Sequence, residues 1–242
     1  MQSTTVDPDT ELAQLVETNT AFADVFESVG LDYCCGGKRS LEAACDEADL
    51  EVEAVLERLQ TVRSDQDGAR PPGVTDDRSW NSLTQLVNLI VWEHHRYLRN
   101  ELPEIEELAQ KVARVHGESH PNLRELEDEV EGLVEEMTHH IADEEQNAFP
   151  VIKKVDDGES LSPADEVELR DAIDHLEDEH DETAARLERL AALTDDYTVP
   201  EDACASYRRL FDGLETLERN THMHVHRENN VLFPEAAAKL DS

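Results

Sequence analysis

The chain has 242 residues, which is long enough for one domain of ordinary size and a second, small one. Its 58 acidic residues against 21 basic residues give a formal net charge of -37. A surface of that sign repels nucleic-acid backbones and anionic membranes, so we expect neither as a partner. No segment approaches the roughly 18 apolar residues of a membrane span, and the first residues lack the pattern of a secretory signal. A cytoplasmic protein is therefore expected.

The acidic surface also predicts a response to salt. Only five of the 21 basic residues are Lys, and such a surface suits concentrated salt, where screening removes the self-repulsion of the carboxylates. We interpret this as the mark of a halophilic source. The melting temperature should therefore rise as KCl is raised from about 0.1 M toward molar concentrations. Circular dichroism melts across the series would test this, and a flat or falling curve would contradict it.

The first part of the chain, residues 1–63, is predicted to be a small helical domain. Gly30 and the pair Gly36 and Gly37 divide it, which favours two or three short helices. Its apolar residues recur at helical spacing at Leu12, Leu15, Val16, Phe22, Val25 and Phe26, then at Leu41, Val52, Val55, Leu56 and Leu59. Residues 64–79 contain two Gly and two Pro with almost no large apolar side chain, which is typical of a linker.

The rest of the chain, residues 80–242, predicts an antiparallel four-helix bundle and makes the protein all-α. Four long segments with helical periodicity lie near 80–115, 122–155, 163–194 and 201–240. Turn-forming residues separate them, at 120–122, 156–163 and 194–200. Short connections of this kind make consecutive helices antiparallel neighbours.

A short string occurs twice within this bundle. His140-x3-Glu144-x4-Phe149-Pro150 is repeated at 224–234, where the corresponding imidazole and carboxylate are His224 and Glu228. Residues at i and i+4 share one face of a helix, so each copy can direct two ligands at the same metal centre. The apolar faces of the first and third segments carry His95 and His180 at the same level. The predicted metal ligands are His95, His140, Glu144, His180, His224 and Glu228.

Six polar groups on core faces need compensating charge, which metal ions supply. Carboxylates on neighbouring helices can bridge two ions while the imidazoles bind at the sides. A site with nitrogen and oxygen ligands and no thiolate favours iron or manganese over a structural zinc site, although zinc is compatible with the same ligands. The Phe-Pro pair after each Glu is predicted to pack and to bend the helix, without a chemical role.

Several other His residues compete with these six. His222 and His226, and likewise His139, lie off the apolar faces, and we expect them to face solvent. His94 is the nearest alternative to His95, since one residue is about 100° of helix. The apolar positions that follow, Leu98 and Leu102, favour His95. His116, His120 and His175 belong to no matching pattern.

The paired strings, with His95 in His-x6-Leu-Pro and His180 in Glu-His-Asp-Glu, resemble hemerythrin-like domains. The N-terminal sequence Asp-Tyr-Cys-Cys-Gly-Gly-Lys at 32–38 is similar to the signature of the RIC family, the di-iron proteins for repair of iron centres. The resemblance covers essentially the whole chain in the same order. It implies two non-haem irons per chain, bound by the six residues above and bridged by Glu144 and Glu228. The family commonly has Tyr where this chain has His94.

The resemblance implies recovery of iron–sulfur clusters after nitrosative or oxidative stress. Two routes are associated with the family, donation of iron and reduction of nitric oxide to nitrous oxide, so nitric oxide reductase activity is one possible enzymatic function. The expected partners are damaged iron–sulfur proteins, with nitric oxide or peroxide as a small ligand, and a homodimer by analogy.

The adjacent cysteines Cys34 and Cys35 do not have the Cys-x2-Cys spacing of zinc or thioredoxin-like sites. One interpretation is a pair of small residues in a Gly-rich turn. The resemblance favours the other, a redox, nitric oxide or iron-handling role delivered to the di-iron domain across the linker. Cys45 and Cys204 are predicted to be small buried residues.

Two functions of other classes remain open from the sequence. A hemerythrin-like sensor or carrier of oxygen or nitric oxide would bind its ligand reversibly and would be indifferent to replacement of both Cys34 and Cys35. An iron storage or trafficking protein would release iron stoichiometrically without redox turnover.

Overall fold

The computed structural model describes residues 6–64 and 80–241. The predicted linker, 64–79, lies outside the described residues except for the backbone of Ser64. Within the described ranges the regular structure is helical, with one isolated antiparallel bridge between Glu11 and Ser40. None of the described helices is both long and apolar enough to cross a membrane. The prediction of an all-α fold is confirmed.

The N-terminal region contains four helices, one more than the largest number predicted. They are α1 (Leu12–Thr18), α2 (Phe22–Val29), α3 (Leu41–Glu47) and α4 (Val52–Ser64). Gly30 ends α2 in the left-handed conformation, with a φ of 72°, which glycine adopts without steric cost. The side chain of Ser40 accepts a hydrogen bond from the Ala43 amide and begins α3. Leu12, Val16, Phe26, Leu41 and Leu59 are fully buried in the core between these helices.

The four predicted long segments form the bundle. The first contains α5 (Leu83–Ile90) and α6 (Arg96–His116), the second α7 (Asn122–Asp143) and α8 (Phe149–Asp156). The third is the single helix α9 (Pro163–Thr194), and the fourth contains α10 (Ala205–Arg227) and α11 (Phe233–Leu240). A capping box between Ser162 and Asp165 begins α9. The segments therefore begin and end close to where the turn residues predict.

Three of the four segments contain a π-helical turn at the level of the predicted ligands. These turns are π1 (Val91–His95), π2 (Glu144–Ala148) and π3 (Glu228–Leu232). Each turn is closed by the next amide, which donates to the carbonyl five residues back, as from Phe149 to Glu144. Pro150 and Pro234 follow two of the turns, where a residue without an N–H fits the interrupted hydrogen-bond series. An inserted π turn therefore precedes each of these Pro residues, which the sequence pattern did not predict.

The bundle has two hydrophobic layers with the polar level between them. One layer includes Leu98, Leu102, Leu133 and Leu217, and the other includes Leu86, Ile152, Leu176 and Phe233. All are nearly inaccessible to solvent. Side chains at the level between the layers are therefore held in an environment that favours charge only where it is compensated.

The N-terminal region packs against α10 of the bundle. Arg219 forms ion pairs with Asp24 and Glu27, the latter with an Nε to Oε2 distance of 3.0 Å. Glu27 also accepts a hydrogen bond from the hydroxyl of Tyr33 at 3.0 Å. Met223, on the same helix, is buried in the N-terminal core. The two regions thus share charged contacts and part of one hydrophobic core.

Candidate metal centre

The six predicted ligands converge between the two hydrophobic layers. Each is at least 96% buried. Their ligand atoms form two overlapping groups of four, within 4.8 Å of one another in each group. His95 and His224 belong to one group and His140 and His180 to the other. Glu144 and Glu228 belong to both, so this His–Glu cluster consists of two imidazole pairs that share two carboxylates.

The Nε2 atoms of all four imidazoles point into the cluster. Nε2 of His95 lies 3.2 Å from Nε2 of His224, and the corresponding distance between His140 and His180 is 3.0 Å. Oε2 of Glu144 lies 3.2 Å from Nε2 of His95, and Oε1 of the same residue lies 3.5 Å from Nε2 of His140. One carboxylate therefore faces both imidazole pairs. Each pair joins one residue from each half of the bundle.

The donor atoms fit a pair of metal ions. Both side-chain oxygens of Glu144 and Oε2 of Glu228 are buried and accept no geometrically sound hydrogen bond within the described residues. Burial alone raises the pKa of the Glu228 carboxyl, but the nearby imidazoles of His224 and His180 outweigh it and hold that pKa well below its usual range. The cluster thus combines ionised carboxylate oxygens that have free lone pairs with imidazole nitrogens that point toward them. Iron accepts this combination of ligands.

A second layer of contacts holds three of the imidazole rings. The Nδ1 atoms of His95, His140 and His180 lie 2.7–2.8 Å from side-chain oxygens. The corresponding oxygens belong to Glu145, Glu179 and Asn229. Such contacts fix the ring orientation and favour the tautomer whose Nε2 is free to bind metal. Nδ1 of His224 has no hydrogen-bond partner within the described ranges, so the two imidazole pairs are not equivalent.

The Phe of each repeated string also stacks on a histidine of the His–Glu cluster. Phe149 stacks on His95, with centroids 5.6 Å apart and planes at 15°. Phe233 stacks on His180 at 6.2 Å and 8°. The sequence predicted only a packing role for these residues. Their occurrence at the same place in both copies of the string was a signal for a role at the site.

The structure separates His94 from His95. His94 is fully buried, but its Nδ1 lies 3.2 Å from the side-chain oxygen of Asn220 and its Nε2 lies 2.9 Å from Arg227. Burial and the charge of Arg227 hold the pKa of His94 well below its usual value. Arg227 in turn pairs with buried Glu93 at 2.7 Å. His94 thus lies beside the cluster, and the geometry favours His95 as the ligand.

The expectation that His222 and His226 face solvent is wrong. His226 is only 3% exposed, and His222 is partly buried, with Nδ1 3.6 Å from Glu27. Tyr33 lies edge-on to both rings, at centroid distances of 6.3 and 5.7 Å. The N-terminal region covers this face of α10, which the periodicity of the bundle alone could not indicate. His139 is exposed, as expected.

The cysteine motif lies against the turn that carries Glu228. Cys34 is 5% exposed, and Cys35 is partly exposed. The carboxylate of Asp32 accepts hydrogen bonds from the amides of both cysteines. Nδ2 of Asn230 donates to the carbonyl of Cys34 at 2.7 Å. Asn230 belongs to π3, two residues after Glu228, so one short turn contacts both the cysteine motif and the His–Glu cluster.

Gly37 is required by this close approach. A Cβ atom there would lie 2.4 Å from the carbonyl oxygen of Tyr33 and 3.0 Å from the side-chain oxygen of Asn230. The first distance rules out a side chain because the backbone of Tyr33 would have to move, and the second would displace the side chain of Asn230. The second Gly of the Cys-Cys-Gly-Gly motif is therefore explained first by the Tyr33 carbonyl and then by the contact with π3.

Cys45 is buried, as predicted, but the prediction for Cys204 is wrong. Cys204 is exposed and occupies the N-cap position of α10. Its Sγ lies 3.3 Å from Nε2 of His116. Backbone amides at the start of α10, first that of Tyr207, and then His116 lower the pKa of this thiol. The residue follows the turn before the fourth segment, so it lies just outside the periodic core face.

A thiol of this kind is expected to react faster than the others. Iodoacetamide should modify Cys204 before Cys45, because the lowered pKa increases the thiolate fraction near neutral pH and the residue is exposed. His116→Gln should raise the thiol pKa and slow the reaction by about threefold. Peptide mass spectrometry over pH 6–9 would measure both rates. Equal rates in the parent chain and the His116→Gln variant would contradict the contribution of His116.

Comparisons with known proteins agree with this arrangement. Residues 86–236 match the family model described as the hemerythrin HHE cation binding domain. Residues 8–63 match a domain of unknown function, DUF542. The chain is 34% identical over 212 residues to the iron–sulfur cluster repair protein YtfE of Yersinia pseudotuberculosis serotype IB. This alignment covers 88% of this chain and 89% of the relative. It is 32% identical over 222 residues to the iron–sulfur cluster repair protein ScdA of Staphylococcus haemolyticus. This alignment covers 92% of this chain and 95% of the relative.

Proposed function

Since the chain belongs to the hemerythrin HHE family and, over most of its length, to the family of iron–sulfur cluster repair proteins, we propose that it repairs damaged iron–sulfur clusters. The observation that carries the proposal is the buried cluster of two imidazole pairs sharing two carboxylates. The substrates are iron–sulfur proteins whose clusters have been damaged by nitrosative or oxidative stress. Cytoplasmic proteins are the expected targets.

The centre is proposed to hold two iron ions. His95 and His224 would bind one ion and His140 and His180 the other, with Glu144 and Glu228 as bridges. Bound iron would supply a Lewis acid and a source of electrons. The chain's own contribution is to fix the rings through Glu145, Glu179 and Asn229 and to exclude bulk water with the hydrophobic layers.

Two chemistries are compatible with such a centre. Repair by donation treats iron as cargo, which the chain delivers to a damaged cluster. Repair by removal of nitric oxide joins two nitric oxide molecules, and two protons and two electrons convert them to nitrous oxide and water. The partly exposed thiol of Cys35, next to the turn that carries Glu228, supports a role for the cysteine pair in either route.

The decisive experiment is anaerobic exposure of iron-quantified protein to nitric oxide. About two irons per chain with formation of nitrous oxide supports turnover. Transfer of iron to an apo iron–sulfur protein, without nitrous oxide, supports donation. A stable, reversible nitrosyl with neither product would overturn the repair proposal in favour of sensing or carriage. The Cys34→Ser/Cys35→Ser variant should retain its iron and lose repair activity.

A matched pair of substitutions tests whether the contact between the cysteine motif and π3 contributes to repair. Asn230 in π3 corresponds to Gln146 in π2, and Gln146 is exposed. Asn230→Ala removes the hydrogen bond to the Cys34 carbonyl, so repair activity should fall while iron content stays unchanged. Gln146→Ala should leave both unchanged. Equal effects of the two substitutions would show that docking of the motif plays no part.

The division of the chain is part of the same proposal. Residues 1–63 would form the domain that carries Cys34 and Cys35, 64–79 a linker, and 80–242 the di-iron bundle. We further propose that the acidic surface is an adaptation to salt, that peroxide is handled at the same centre as nitric oxide, and that the protein assembles as a homodimer.

A further inference from the structure

A cleft of about 490 Å³ opens on the bundle surface beside the first ligand of the cluster. Segments on both sides of π1 and π2 line it, and its walls include Trp92, Arg96, Arg99 and Lys153. Its volume lies within the range of sites for small ligands. We refer to it as the cationic cleft.

The charge of this cleft is opposite to that of the protein. Three cationic side chains line it, those of Arg96, Arg99 and Lys153, against the single carboxylate of Glu145. The chain as a whole has a net charge of -37. A local concentration of guanidinium and ammonium groups on such a surface attracts anions that the rest of the protein repels.

The contacts of these cations use only part of their hydrogen-bonding capacity. Arg99 contacts Glu145 through one nitrogen, at 2.8 Å, and a guanidinium carries five donors. Lys153 donates to the neutral side-chain oxygen of Asn88 at 2.9 Å, so its charge is not neutralised by that contact. Arg96 lies over the ring of Trp92, 4.4 Å from the ring centroid. These side chains thus retain charge and donors for a ligand.

Trp92 is the most exposed large hydrophobic residue among those described, with 65% of its surface accessible. A tryptophan in that position costs hydration free energy unless something covers it. The stacked Arg96 side chain is held in place by the ring. The aromatic side chain therefore forms one wall of the cleft and contacts one of its cations.

We propose that the cationic cleft binds a small multivalent oxyanion, a polycarboxylate or phosphate. Planar guanidinium groups bind both classes through paired hydrogen bonds, and the ammonium of Lys153 adds a third charge. The interaction requires no metal and does not depend on the repair function proposed above.

Two of the residues that line the cleft also contact the His–Glu cluster. Glu145 contacts Nδ1 of His95 at 2.8 Å, and Phe149 stacks on the same ring. An anion that binds the remaining donors of Arg99 shares that guanidinium with Glu145 and weakens its ion pair. Occupancy of the cleft therefore acts on the residue that orients His95, while the cluster itself remains covered.

The test uses the full iron-loaded chain and two probes, inorganic phosphate and tricarballylate. Isothermal titration calorimetry at fixed KCl concentration measures the affinity of each. Arg96→Gln/Lys153→Gln should weaken binding at least about tenfold, because two charge-assisted contacts are lost. Arg209→Gln/Lys111→Gln is the matched control, since it removes the same two charges from other surface positions on α10 and α6. Emission from Trp92, recorded in a Trp80→Phe background, localises the binding.

The expected result is one-to-one binding that changes Trp92 emission, is lost in the cleft variant and persists in the control. Binding of phosphate alone or of tricarballylate alone assigns the natural anion to that class. Equal losses in the cleft variant and the control would attribute binding to overall charge and overturn the proposal. Absence of binding by both probes at millimolar concentration would overturn it as well.

Discussion

Glu228→Ala is expected to abolish the binding of both metal ions. The carboxylate of Glu228 lies with both imidazole pairs, so on the proposed two-ion arrangement its loss would remove one ligand from each ion. We expect iron content to fall from about two per chain to well below one. Metal analysis after anaerobic reconstitution and desalting measures this, with circular dichroism to establish that the variant is folded.

Two further variants make this result specific. His180→Ala removes a residue that belongs to one group only, so about one iron per chain should remain. Glu131→Ala replaces an exposed carboxylate on α7 and should leave iron content unchanged. If Glu228→Ala and His180→Ala retained the same amount of iron, the carboxylate would not be shared between two ions.

Arg219→Ala is expected to release the N-terminal region from the bundle. Its guanidinium pairs with Asp24 and Glu27 at 31% exposure, and the two carboxylates are 19% and 16% exposed. Removing the cation takes away the ion-pair partner of Asp24 and leaves Glu27 with only Tyr33 and His222 among the described residues, which should lower the free energy of unfolding by about 2 kcal/mol. Urea denaturation measures this loss. The alkylation rate of Cys34 should rise at the same time, because Cys34 becomes exposed when the N-terminal region separates from π3.

The matched control for this substitution lies on the same helix. Arg209 pairs with Glu104 at 54% and 50% exposure, so Arg209→Ala should cost less than about 0.5 kcal/mol. Cys34 should react at the parent rate in this variant. A rise in Cys34 reactivity after Arg209→Ala, or none after Arg219→Ala, would show that the ion pairs of Arg219 do not hold the two regions together.

The sequence predicts the helical bundle well because its signals are local and repeated. The segments, the turns between them and the convergence of His140, Glu144, His224 and Glu228 all follow from helical periodicity and the duplicated string. Periodicity also placed His95 on the core face rather than His94. These inferences need only the geometry of one helix at a time.

Features that depend on contacts between distant segments were not predictable in this way. The burial of His226 depends on Tyr33, which is far away in sequence. The exposure of Cys204 depends on where α10 begins. The π turns change which side chains face inward without altering the composition of a segment. In the sequence, a Phe-Pro pair follows π2 and π3, and no such pair marks π1. The second layer around His140 comes from Glu179, on another helix.

The pairing of imidazoles across the bundle has a mechanical consequence. His95 and His224 come from different hairpins, and so do His140 and His180. A bound ion would therefore act as a further cross-link between hairpins that are otherwise held by side-chain packing and by ion pairs such as Arg209–Glu104. Loss of iron would weaken the contact between the hairpins, while the stacked Phe of each hairpin and the contacts of His95 with Glu145 and of His180 with Asn229 would remain. The same protein would then be most rigid when loaded and most pliable just after giving up its metal.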